Sequence, residues 1–110
     1  MYRDNIYIDG DKPAPILKIV ADVLNLKEID SYLQDENWKI SITKNDYSPD
    51  AEGFLNYRLV LEIDSSLDEK SYKNQILSLF NELKKSYKYV VVTWDFEEEY
   101  PELSKDENEL

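Results

Sequence analysis

Along this chain the apolar residues recur at two spacings, every second position or every third and fourth. The order in which these spacings alternate limits the possible folds more than any single motif. Ile6 and Ile8 flank Tyr7 in a short alternating strand, which Asp9-Gly10-Asp11 ends as a turn signal. Pro13 and Pro15 suit the first turn of a helix, where a missing amide donor costs little, and Ile16, Ile19, Val20, Val23 and Leu24 come next at helical spacing. Past Asn25 the apolar positions Leu26, Ile29 and Leu33 fall on a rotated face. A break is therefore expected at Asn25, with a short second helix or an irregular connection over 26–36.

Trp38, Ile40 and Ile42 alternate with Lys39, Ser41 and Thr43, the pattern of a half-buried strand. NDYSPDAEG (45–53) is loop chemistry, and Tyr57, Leu59, Leu61 and Ile63 then alternate with Arg58, Val60 and Glu62. These two strands are expected to pair as an antiparallel hairpin. Ser66 with Glu69 three residues later reads as a capping box at the start of a helix. Tyr72, Ile76, Leu79, Phe80 and Leu83 form its apolar stripe, and Lys84 and Lys85 complement the helix dipole at its end. A last strand over 88–96 places Val90, Val92, Trp94 and Phe96 on one face, and Tyr89, Val91, Thr93 and Asp95 on the other.

The order β-α-β-β-α-β predicts an α+β domain with the ferredoxin-like split-βαβ arrangement: a four-stranded antiparallel sheet with two helices on one face. One domain is expected over 1–101, followed by an acidic tail over 102–110. This fold hosts many unrelated activities, so function has to come from particular residues.

The residue inventory excludes much. The chain has no cysteine and no histidine, which removes disulfides, thiolate nucleophiles, thiolate zinc sites and the usual general base. Two glycines leave little room for a phosphate-binding loop. The start, MYRDNIYIDGD, lacks the basic and apolar regions of a signal peptide, and no apolar run approaches the ~20 residues that span a bilayer. A cytoplasmic, non-catalytic protein without cofactor or metal is the expectation.

Charge gives the positive signal. The net charge is −11, which disfavours nucleic acid and anionic membranes and suits a basic partner. From Asp95 to Leu110 eight acids face one lysine, a net of −7, whereas the preceding 94 residues carry sixteen acids and twelve bases, a net of −4. As a metal site, Asp95, Glu97 and Glu99 would have to share one side of a continued strand, and no calcium-loop spacing accompanies them. As a solvated terminus, ELSKDENEL (102–110) is ordinary. FEEEY (96–100) differs because aromatic residues bracket its acids and would hold them to the folded body. Asp95, Phe96, Glu97, Glu98, Glu99 and Tyr100 are therefore the candidate partner-binding residues. Tyr7, Val60, Tyr89 and Val91, on the sheet face without helices, form an alternative interface, for which a homodimer is the natural product.

Two stretches, GFLNYRLVLEID (53–64) and TWDFEEEYPE (93–102), together resemble a group of small acidic uncharacterised bacterial proteins with a GFLxY strand and a DFEEE ending. In size, acidity and lack of cysteine the chain is also similar to immunity proteins of bacterial toxin systems. That likeness implies a protein that neutralises a basic, nuclease-type toxin by covering it, and no catalytic residues.

Overall fold

The computed structural model of the chain describes residues 1–29, 32–45 and 57–104. Within them lie six strands and two α-helices. β1 (Tyr2–Ile8) runs between β5 (Leu59–Ser65) and β6 (Val90–Thr93), and β4 (Trp38–Lys44) pairs with the far side of β5. A hairpin of β2 (Glu28–Ile29) and β3 (Tyr32–Gln34) extends the sheet beyond β4. The order is β2-β3-β4-β5-β1-β6, with every neighbouring pair antiparallel.

The alternation places one row of each strand inward. Ile6, Ile8, Ile40, Leu59, Leu61, Ile63, Val90 and Val92 meet α1 (Pro13–Leu24) and α2 (Glu69–Ser86) in a single core. From α1 come Ile16, Leu17, Val20 and Leu24, and from α2 come Tyr72, Ile76, Leu79, Phe80 and Leu83. Burying each such aliphatic or aromatic side chain contributes about 1.5–3 kcal/mol, so these rows fix the sheet's register against the helices.

The break at Asn25 is present. Asn25 adopts the left-handed conformation (φ 55°), which asparagine tolerates, and the amides of Asn25 and Leu26 both donate to the Ala21 carbonyl. Beyond it, β2 and β3 form a hairpin in place of the expected short helix or irregular connection. Leu26 and Leu33 are both buried. The strand form lets Leu33 sit beside Ile40 across the β3–β4 pairing, and it covers an edge of β4 that a helix would have left open. The sheet consequently has six strands rather than four.

Three further expectations are corrected. The helix start lies two residues later than the Ser66–Glu69 capping box: Asp68 is the N-cap, and its side chain accepts a hydrogen bond from the Ser71 amide. The amide and hydroxyl of Ser66 instead reach the Asn37 and Glu36 carbonyls. Tyr57 is buried but lies before the start of β5 and outside the main core cluster, with its ring 5.8 Å from that of Tyr89. The last strand ends at Thr93 instead of continuing to residue 96. Residues 46–53 of the expected loop lie outside the described residues.

The cap assignment has a direct test. Asp68→Ala is expected to lower the urea midpoint clearly, and Ser66→Ala to lower it less. The Ser71 bond holds the Asp68 carboxyl below its usual pKa. Its stabilising contribution is thus present above the unfolded value of 3.8 and fades as pH falls through the depressed folded value. Equal effects of the two alanines at pH 7 would refute the assignment.

Candidate functional site

After Thr93 the chain coils instead of running on. The amides of Glu99 and Tyr100 both donate to the Phe96 carbonyl, and a 3-10 turn, Pro101–Leu103, comes next. This coiling separates the sequence by chemistry. Trp94, Phe96 and Leu103 turn inward and join the core, while Asp95, Glu97, Glu98, Glu99 and Glu102 stay exposed. The Trp94 ring meets Phe96 edge-on at 5.3 Å and Tyr100 at 5.7 Å, and Phe96 lies 5.7 Å from Tyr2. The Ser104 hydroxyl donates to the Val92 carbonyl at 2.6 Å, tying the end of the turn back to β6. The packed chain thus continues past Pro101, where the sequence suggested a tail. Residues 105–110 lie outside the described residues.

α2 supplies the cation of this region. Lys73 Nζ lies 2.9 Å from Glu99 and 3.5 Å from Glu69, and sits 4.4 Å over the Phe96 ring. The hydrogen bond to Glu99 pushes the Lys73 ammonium above its usual pKa, aided by the charge of Glu69. Of the acids in the turn, Glu99 is therefore already engaged. Asp95, Glu97, Glu98 and Glu102 make no ion pair among the described residues.

The candidate partner-binding residues thus separate into two groups. Asp95, Glu97 and Glu98 present free carboxylates. Phe96, at 9% exposure, and the half-buried Tyr100 anchor the turn to the body of the protein. The strand continuation that would have aligned Asp95, Glu97 and Glu99 does not form. Among the described residues no group of three or more carboxylates is arranged to hold a metal ion.

The open sheet face is more polar than its tyrosines suggest. Arg3 pairs with Asp64 at 2.8 Å, and Ser41 donates to Glu62 at 3.4 Å. Tyr7, Val60 and Tyr89 are half-buried. Val91, expected on a contact patch, is only 1% exposed, so the alternative interface loses one of its four residues. A shallow groove lined by Asn5, Tyr7, Thr43, Asn45, Val60 and Glu62 runs across this face.

Asp4 is a residue that no sequence motif singles out. The strand extends back to Tyr2, which puts Asp4 in the inward row with Ile6 and Ile8. There it accepts a 2.5 Å hydrogen bond from the Tyr72 hydroxyl. Tyr72 is fully buried, stacked on Tyr2 at 4.4 Å and flanked by Trp38 and Trp94 at 5.9 and 6.3 Å. Burial, and secondarily the bond to Asp4, raise the Tyr72 hydroxyl far above its usual pKa. The one available signal was parity: the Ile6/Ile8 alternation, carried back by two residues, reaches Asp4 and marks a charged side chain at an inward position.

Fold and site together define a small α+β domain with an acid-bearing turn anchored by aromatic residues. Comparison with protein-family models, curated proteins and solved structures gave no match. No described helix is long and apolar enough to cross a membrane.

Proposed function

We propose that this chain is a non-catalytic binding protein that neutralises a basic protein partner, an immunity protein for a bacterial nuclease-type toxin. The observation that carries the reading is the turn after β6, where Asp95, Glu97, Glu98 and Glu102 stand exposed without an internal cation on a segment pinned by Trp94, Phe96 and Leu103. Acids on a pinned segment present a fixed field, which speeds encounter with a positive surface and penalises other partners. The fold is proposed to be the ferredoxin-like arrangement with an added edge hairpin. Its support is the order β4-β5-β1-β6 of the four strands other than the edge hairpin, with both helices sharing the core side.

Capture from the host with tagged protein, washed at rising salt, tests the function. One strongly basic protein is expected to be retained at low salt and weakened at high salt, as screening shortens the reach of exposed charges. Reversing Glu97 and Glu98 to lysine is expected to slow association with it by about tenfold or more. Reversal of Glu99 confounds the result, because it also breaks the Lys73 contact. If the Glu97/Glu98 double variant associated as fast as the native protein, the turn would not be the docking surface.

The alternative is a non-catalytic structural or regulatory module that self-associates through the open sheet face. Tyr7, Val60 and Tyr89 remain partly accessible there, which supports it. It predicts a dimer in light scattering that Tyr89→Ser weakens, and a monomer at high concentration would exclude it.

A further inference from the structure

The acidic turn has two pins and a span between them. Phe96 and Leu103 are seated in the core, and the residues from Glu97 to Glu102 lie exposed or half-buried between them. The amides of Glu99 and Tyr100 fold the span back on the Phe96 carbonyl, and the Tyr100 ring lies 5.7 Å from Trp94. These contacts join the span to itself and to the end of β6. Among the described residues, its one ion pair to the helix layer is made with Lys73.

Lys73 meets both carboxylate oxygens of Glu99, at 3.0 and 2.9 Å, and reaches Glu69, one turn earlier on α2, at 3.5 Å. Its ammonium also stands 4.4 Å over the Phe96 ring, where the face of the ring attracts a cation. The Lys73 side chain is only 14% exposed, whereas those of Glu69 and Glu99 are 61% and 55% exposed. One ammonium, largely withdrawn from solvent, thus serves two carboxylates and the ring that pins the turn. An ion pair between freely exposed side chains holds little, because both must be ordered to form it. Here the lysine is ordered by its surroundings, so much of that cost is absent. Without its charge, Glu69 and Glu99 would repel one another across the gap it fills.

We propose that Lys73 is the positioning residue of the docking turn: it clamps the arc 97–99 to α2 and withholds Glu99 from the partner. Glu97 and Glu98 are then the acids of the arc that a basic surface meets, in a fixed place rather than as a mobile set of three. The clamp takes its purpose from the docking function proposed above, but its existence does not depend on a partner.

NMR relaxation of the backbone amide nitrogens, measured on the full chain alone, tests the clamp. Lys73→Met removes the charge and keeps an unbranched apolar side chain against Phe96. Order parameters of Glu97, Glu98 and Glu99 are expected to fall from about 0.85 to below about 0.6, while those of β4 and β5 stay in place. Lys73→Arg keeps the charge and a fork that can serve both carboxylates, and is expected to hold the arc at its native order. A rigid arc in Lys73→Met would overturn the proposal, as would equal loosening in the methionine and arginine variants, which would make the charge irrelevant. Should the methionine variant fail to fold, Glu99→Gln breaks the same pair from the exposed side. It is expected to loosen the same residues, and a rigid arc there also overturns the clamp. A loosened arc in a chain that captures no basic partner would sink the docking function and leave the clamp standing.

Discussion

Phe96→Ala is expected to cost about 3 kcal/mol of stability, read as a lower urea midpoint with an unchanged slope. The ring is 9% exposed and belongs to the core cluster, with Trp94 at 5.3 Å, Tyr2 at 5.7 Å and the Lys73 ammonium 4.4 Å above it. Truncation would open a void beside Trp94 and Tyr2 and remove the surface on which Lys73 rests. Phe96→Leu keeps most of the volume and should cost less than about 1.5 kcal/mol. The contrast separates two roles for this residue. An anchor for a partner would lose affinity on truncation and leave the urea midpoint in place. A pin for the acidic turn would lose stability first, and any loss of binding would stem from a displaced turn. An unchanged midpoint for Phe96→Ala would show that the ring is not part of the core.

Leu103→Ala is the second large effect, at about 2–4 kcal/mol by the same measurement. Leu103 is 2% exposed, although it comes after a proline and a glutamate in a stretch whose composition reads as a polar terminus. Its burial is what closes the segment over β6. Ser104→Ala should add a smaller loss of about 1 kcal/mol, because the Val92 carbonyl would lose the hydroxyl that now bonds it at 2.6 Å. Wild-type stability for Leu103→Ala would return the folded boundary to Pro101 and leave Glu102 on a free tail.

The acidic stretch illustrates how much of a site composition alone can locate. Asp95, Glu97 and Glu98 were legible as exposed acids, because carboxylates without cations rarely go inside. The aromatic residues among them were legible as attachments to the body. Their direction was not. A strand over 88–96 and a coil after Thr93 use the same residues, and alternation continues to fit until Phe96. Only the hydrogen bonds of Glu99 and Tyr100 back to Phe96, with Leu103 seated in the core, select the coil. The engagement of Glu99 by Lys73 was equally hidden, since 26 residues separate the two in the chain.

The sequence by itself determined the long elements. Tyr72 to Leu83 at helical spacing and Leu59 to Ile63 at every second position each commit a whole face to the core, and such a face has one period that buries it. The break at Asn25 was also local, because the residue that ends the helix tolerates the left-handed conformation it needs. Only the tertiary structure decided the hairpin of β2 and β3, the N-cap at Asp68, the place of Tyr57 beside Tyr89 and the inward place of Asp4. Each of these is short or polar. A run such as Leu26–Leu33 satisfies two periods at once, and a lone carboxylate satisfies none. Their outcome is set by what lies beside them: the open edge of β4 for the hairpin, and the hydroxyl of Tyr72 for Asp4.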